Sequence, residues 1–145
     1  MARAIEILVV EDEVAVQRLV DVVFRAASDD FLVQRVGSLA AAIKAVMTLT
    51  PDLIMLDLDL PDAKGLDAVK VLLDLAPRSA IVILTANTDD AMAHEAIRLG
   101  AQDWLQKNAD LQRLLPRAAT FAVERQRRRV GLLAEIARLQ ETSEG

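Results

Sequence analysis

Five polar residues stand directly at the ends of short apolar runs. Glu11 and Asp12 follow Ile5 to Val10, Asp57 follows Leu53 to Leu56, Thr85 follows Ala80 to Leu84, and Lys107 follows the run 102–106 that holds Trp104. Three acids, a hydroxyl and an ammonium make a chemically coherent set if the fold gathers them. Carboxylates about 4–5 Å apart repel by a few kcal/mol at an effective dielectric near 20, so they need shared protons or a cation. Oxygen ligands without His or Cys favour a hard ion, and an incomplete set that leaves room for waters and phosphate favours Mg²⁺. A carboxylate can also act as a nucleophile and form an aspartyl-phosphate. Phosphoryl transfer asks mainly for positioning and charge neutralisation, which a divalent ion, an ammonium and a hydroxyl supply.

The spacing of apolar residues supplies elements that bring these groups together. Ile5 to Val10 reads as a first strand, and Val14, Leu19, Val22, Val23 and Ala26 give a helix over roughly 13–27. Phe31 to Val36 reads as a second strand. Ser38 is an N-cap for a helix carrying Ile43, Val46, Met47 and Leu49, which Thr50-Pro51 ends. Leu53 to Asp57 reads as a strand covered on both faces. The stretch 58–65 reads as a loop from its Pro61 and Gly65, and a third helix covers 66–75 up to Pro77. Ala80 to Thr85 reads as a fourth strand, Asp90 to Leu99 as a fourth helix stopped by Gly100, and Gln102 to Gln106 as a fifth strand. A long last helix follows from near Asp110; Pro116 fits a first turn without cost, which also allows a start near Leu114 or Leu115 with 111–113 as a separate turn. Strands alternating with helices predict an α/β, doubly wound, five-stranded parallel sheet with five helices, the last extended. The strand ends then share one edge, where open α/β sheets bind ligands.

Composition narrows the chemistry further. The chain has 145 residues, no cysteine and one histidine, so disulfide frameworks, thiolate chemistry, Ser-His-Asp triads and multi-His metal sites are excluded. A 53% hydrophobic fraction with 3% aromatics predicts one domain with a Leu, Val, Ile and Ala core. The net charge of −5 argues against a general nucleic-acid-binding field. The absence of a spanning apolar run or a signal-peptide layout predicts a cytoplasmic protein without a membrane partner.

These residues resemble the receiver domain of two-component response regulators. The resemblance rests on Ile-Leu-Val-Val-Glu11-Asp12-Glu13, Leu-Ile-Met-Leu-Asp57-Leu-Asp59-Leu-Pro61-Asp62-Ala-Lys-Gly65, Ile-Val-Ile-Leu-Thr85-Ala86 and Gly100-Ala-Gln-Asp-Trp104-Leu-Gln-Lys107, covering about 5–125. It implies a flavodoxin-like strand order 2-1-3-4-5. It implies that Asp57 accepts phosphate from a histidine kinase or phosphotransfer protein. Asp12, Asp57 and the backbone carbonyl of Asp59 would ligate Mg²⁺, with Glu11 acting through water. Lys107 would pair with the phosphoryl group, Thr85 would move to hydrogen-bond it, and Trp104 would repack as the aromatic switch. Ala86 would leave room for the phosphoryl group, and Pro61 and Gly65 would shape the loop. The chain would not be an enzyme on an external substrate; it would catalyse only its own phosphorylation and dephosphorylation.

Two positions depart from the family pattern. Trp104 is bulkier than the usual Tyr or Phe, which restricts an inward swing behind Thr85. Asn108 follows Lys107 where the family has Pro, so a trans bond is expected, since a non-proline cis bond costs roughly 2.5–4 kcal/mol. Other polar residues read as structure. The Asp59 side chain and His94 are expected at the surface, Asp89-Asp90 is expected to cap a helix, and Met47, Met55 and Met92 are expected to pack. The Arg-Gln-Arg-Arg-Arg run at 125–129 reads as a solvated helix face rather than a nucleic-acid patch.

Residues 1–125 thus read as a receiver and 126–145 as a helical extension. Leu132, Ile136 and Leu139 have coiled-coil spacing, too short to be stable alone. The extension predicts a helix partner: a homodimer, or an output domain for which the segment Phe121 to Arg129 is the junction. Thr142-Ser-Glu-Gly145 reads as a break within a longer protein, its last two residues as a cloning scar. Two other readings are weaker. A haloacid-dehalogenase-like Mg²⁺ phosphatase carries its Asp-x-Asp after the first strand and has a cap. A pseudo-receiver used only for binding or dimerisation has usually lost the acids, Thr and Lys present here.

Overall fold

Each expected strand and helix is present, in the expected order. The computed structural model describes residues 4–86 and 90–144. Its elements are β1 (Ile5–Val10), α1 (Val14–Ala27), β2 (Phe31–Val36), α2 (Leu39–Thr48), β3 (Leu53–Asp57), β4 (Asp59–Leu60), β5 (Ala63–Lys64), α3 (Asp67–Leu75), β6 (Ala80–Thr85), α4 (Asp90–Leu99), β7 (Asp103–Gln106) and α5 (Leu111–Glu144). The large sheet runs β2-β1-β3-β6-β7, and each pairing in it is parallel. Counting its five strands alone, this is the flavodoxin-like order 2-1-3-4-5.

The sheet separates two apolar layers. Ile7, Val9, Leu53, Met55, Val82 and Leu84 pack with α1 and α5, while Leu8, Val10, Ile54, Leu56, Ile81 and Ile83 pack with α2, α3 and α4. This is the period-2 alternation of strands buried on both faces. The central strand β3 is buried along all five residues, so Asp57 is delivered from the most fixed part of the sheet.

Four local readings are corrected. The loop at 58–65 contains a small antiparallel hairpin, β4 with β5, closed by Gly65 at φ +63°, a conformation open to glycine. The last helix starts at Leu111, as the start near Asp110 expects, and the alternative start near Leu114 or Leu115 is corrected, since Pro116 lies inside the helix. Leu111 and Leu115 are both buried, and a continuous turn is what places both on the sheet. The carbonyl that Pro116 leaves without a donor belongs to exposed Gln112. In α1 the inward face is Val20, Val23 and Phe24, while Val14, Leu19, Val22 and Ala26 are exposed. In α2, Ala42 and Ala45 face the sheet and Met47 is 73% exposed; Met92 also lies at the surface, and only Met55 packs as expected. Small residues let α2 sit close to the sheet, a choice that periodicity of large side chains does not reveal. His94 is exposed and the Lys107–Asn108 peptide is trans, both as expected.

The amino-terminal edge of the sheet is closed by neutral hydrogen bonds. Buried Ser79 donates from Oγ to the Pro51 carbonyl at 2.5 Å. Buried Gln126 of α5 donates to the Pro77 carbonyl at 3.0 Å and accepts from Gln102 Nε2 at 2.9 Å. Arg125 bonds Gln102, and Arg127 pairs with Asp52 at 3.3 Å. Beyond Val130, α5 leaves the body and exposes Leu132, Leu133, Ile136 and Leu139 by 51–58%. No helix among the described residues is long and apolar enough to cross a membrane.

Candidate functional site

Parallel strands end at one edge, and β1, β3, β6 and β7 deliver the chemical residues there. Glu11 leaves β1 with its N–H on the Val36 carbonyl. Its own carbonyl accepts from Gln17 Nε2 at 2.5 Å, and Gln17 also reaches the Val36 carbonyl at 3.3 Å. Gln17 thus holds the turn that carries Glu11 and Asp12. Nothing in its surroundings in the sequence marked it for that role.

Lys107 binds both buried acids. Its Nζ lies 3.0 Å from Glu11 Oε1, 2.8 Å from Glu11 Oε2 and 3.2 Å from Asp57 Oδ2. The side chains of Glu11, Asp57 and Lys107 are 0%, 4% and 11% exposed. The approach of Nζ to Oε2 is off the direction of a hydrogen bond, so buried Oε2 has no hydrogen-bond partner. Exposed Asp12 completes a triad: one oxygen each from Glu11, Asp12 and Asp57 lies within 4.8 Å of the others. Three carboxylates face one ammonium, a net excess of negative charge made only of hard oxygen donors.

Electrostatics record that excess. Burial pushes the Glu11 carboxyl up to about 7; the Lys107 hydrogen bond pulls against this, and neighbouring Asp57 adds to it. For Lys107, burial acts to lower the ammonium pKa, but the hydrogen bond to Glu11 and the charge of Asp57 outweigh it, and the net direction is up.

The remaining expected residues sit around this centre. Half-buried Thr85 ends β6, and its carbonyl accepts from the Lys107 N–H at 2.9 Å, so the hydroxyl-bearing and ammonium-bearing residues are neighbours. Trp104 pairs with Ile83 in register, one step below Thr85 on the same sheet face. It is half-buried against the layer of α2, α3 and α4. Asp59 touches Asp57 through its N–H, donated to Asp57 Oδ1 at 3.1 Å. Its side chain turns outward, as expected, and pairs with Lys64 at 2.6 Å, which holds its carboxyl below the usual range. Asn87 to Asp89, with the capping role read for Asp89, and the side chain of Asp90 lie outside the described residues.

Asp62, a loop acid with no role of its own in the motif, makes two well-formed bonds near the site. From the turn of the β4–β5 hairpin it accepts from Leu39 N at 2.8 Å and Ala40 N at 2.9 Å. These backbone donors hold its carboxyl below the usual range. Such a cap comes from 23 residues away in sequence, so the local S/T/D/N signal for a helix start finds Ser38 but not its partner.

Known proteins are similar to this chain in sequence and fold. The family model for the response regulator receiver domain matches residues 7–119. A protein-glutamate methylesterase/protein-glutamine glutaminase of Caldanaerobacter subterraneus is 31% identical over 108 residues, covering 74% of this chain and 29% of that protein. The DNA-binding response regulator MtrA of Mycolicibacterium paratuberculosis is 37% identical over 101 residues, 70% of this chain and 44% of MtrA. In structure, the response regulator domain of Thermotoga maritima CheB aligns with a TM-score of 0.76 at 22% identity, covering 84% of this chain and 98% of that one. The chain spans between 19% and 55% of the length of its first curated relatives. The phosphatase and pseudo-receiver alternatives are not favoured by these matches. The chain belongs to the response regulator receiver domain family.

Proposed function

We propose that Asp57 is the phospho-acceptor of this receiver, and that a histidine kinase or phosphotransfer protein is the donor. The observation that carries this reading is the Glu11–Asp57–Lys107 cluster, in which a nucleophilic carboxylate is held by an ammonium beside two further acids. A carboxylate oxygen of Asp57 attacks phosphorus, a P–O bond forms, the P–N bond of phosphohistidine breaks, and its electron pair leaves on the imidazole nitrogen. The Asp59 N–H fixes one acceptor oxygen. Lys107 neutralises charge on the incoming group, and Thr85 supplies a hydroxyl at the same edge.

The buried Glu11 oxygen that pairs with Lys107 but accepts no hydrogen bond, together with the all-oxygen triad, fits Mg²⁺, with Asp12, Asp57 and the Asp59 carbonyl as ligands and Glu11 acting through water. When bound there, Mg²⁺ offsets the negative charge of the acids and the phosphoryl group. We read the chain as a switch that turns over no external substrate, with Trp104 as the residue that repacks, working in the cytoplasm. We take 1–125 as the receiver and 126–145 as the extension that joins an output domain or a second copy.

The test uses acetyl phosphate or beryllofluoride with Mg²⁺, read by mass and by fluorescence of Trp104, the only tryptophan. A Mg²⁺-dependent response that disappears in Asp57→Asn supports the assignment; no response in the unmodified protein overturns it. Light scattering at high micromolar concentration tests self-association through the tail. A dimer that becomes a monomer without residues 131–145 is the expected result, and monomers in both cases rule the dimer out.

A further inference from the structure

We infer that Asp62 is a positioning residue for phosphorylation: by capping α2 from the tip of the β4–β5 hairpin, it holds the segment that orients Asp57. This rests on Asp57 being the phospho-acceptor. The first three N–H groups of α2 have no partner within the helix. Two of them, on Leu39 and Ala40, donate to the two oxygens of Asp62 at 2.8 and 2.9 Å. The third, on Ala41, donates to Ser38 Oγ at 3.1 Å. The cap is therefore divided between a local residue, Ser38, and a residue of the acceptor loop.

The base of the hairpin is anchored by buried Leu58 and Leu60, with Ala63 packed beside them, and its tip at Pro61 and Asp62 is tied to the body by the Asp62 carboxylate. Two residues on each side pair, Gly65 N–H closes it on the Leu58 carbonyl, and the Lys64–Asp59 pair is exposed on both sides. Yet the hairpin sets both backbone groups that matter at Asp57: the Asp59 N–H on Oδ1, and the Asp59 carbonyl assigned to the metal. Asp62 has two charge-assisted bonds to a helix N-terminus, stronger than neutral ones and supported by the helix dipole. Its carboxylate stands three residues from Asp59, so a shift of the hairpin tip moves the Asp59 peptide with it.

Ser38 provides the control. Losing either cap weakens α2, but only losing Asp62 also releases the tip of the hairpin, whose base stays anchored by Leu60. Asp62→Ala and Ser38→Ala are each expected to lower Tm by about 2–5 °C. Phosphorylation by acetyl phosphate at saturating Mg²⁺ is expected to slow about 10-fold in Asp62→Ala, inside the ~100-fold that an ångström of misplacement can cost. The apparent Mg²⁺ affinity, followed by Trp104 fluorescence, is expected to weaken with it. Asp62→Asn, which retains a carbonyl acceptor, recovers part of the rate, and Ser38→Ala keeps the unmodified rate. Equal slowing in Asp62→Ala and Ser38→Ala reduces Asp62 to a helix cap and overturns the inference, as does an unchanged rate in Asp62→Ala. Failure of the unmodified protein to phosphorylate at all is a different result, and it overturns the acceptor assignment instead.

Discussion

The two edges of the same parallel sheet treat polar groups in opposite ways. At the amino-terminal edge the buried polar groups are amides and hydroxyls, and they find partners: Gln126 with Pro77 and Gln102, Ser79 with Pro51. The Arg127–Asp52 ion pair there is partly open to water. At the carboxyl edge the buried groups are charged, the acids outnumber the ammonium, and Glu11 Oε2 has no hydrogen-bond partner. Satisfied amides close a fold at little net cost. Unbalanced buried charge weakens it. Among the described residues, the amino-terminal end pairs its amides, its hydroxyl and its Arg127–Asp52 charges, whereas the carboxyl end holds more buried acid than ammonium and can take a further cation.

If that contrast holds, stability depends on pH through the carboxyl edge. Glu11 has a folded-state pKa of about 7 against 4.5 for the ordinary group. Between those values the folded chain retains a proton that the unfolded chain has lost. Its stabilising contribution is therefore full below pH 4.5 and is lost as pH rises through about 7. The expected loss is on the order of 2–3 kcal/mol. Thermal unfolding from pH 4.5 to 8 in the presence of a chelator measures it. Glu11→Gln removes the titrating group and flattens the profile, and saturating Mg²⁺ offsets the loss at high pH. A flat profile in the unmodified protein would show that the edge is already balanced, and the contrast would fail. Lys107 does not enter this window, because its raised pKa places its own loss of stability above pH 10.5.

The sequence carried the large features because they depend on short-range patterns. Buried β-branched runs gave the strands, and polar residues ending those runs gave Glu11, Asp12, Asp57, Thr85 and Lys107 as one set. What escaped depends on partners distant in sequence or on small side chains. Gln17 and Asp62 act on backbone groups of another segment, and no local pattern encodes that. Ala42 and Ala45, rather than Met47, face the sheet, because close approach of α2 favours a short side chain over a more hydrophobic one. Of the two helix starts the sequence allows, the one near Asp110 holds over the later one suggested by Pro116, because burying Leu111 and Leu115 together outweighs one lost hydrogen bond at an exposed turn. Along α5, Leu111, Leu115, Ala119, Ala122 and Val123 are covered while Leu114 and Phe121 are exposed, and after Val130 Leu132, Leu133, Ile136 and Leu139 are all exposed. Spacing alone does not distinguish the two halves.

The smaller effects belong to the amino-terminal edge, and they decide whether the two ends are independent. Gln126→Ala leaves the Pro77 carbonyl and the Gln102 amide without their partner. The expected cost is about 1–2 kcal/mol, read by urea unfolding. Arg127→Ala removes a partly exposed ion pair and costs less, ~0.5 kcal/mol or under. Neither is expected to change the rate of phosphorylation by acetyl phosphate. One route could make them do so: Gln102 precedes β7 and Lys107 follows it, so a single edge strand of four residues joins the amide cluster to the ammonium of the site. If Gln126→Ala alters the phosphorylation rate while Arg127→Ala does not, β7 couples the two edges. The position of α5 and the occupancy of Asp57 would then be linked through Gln102.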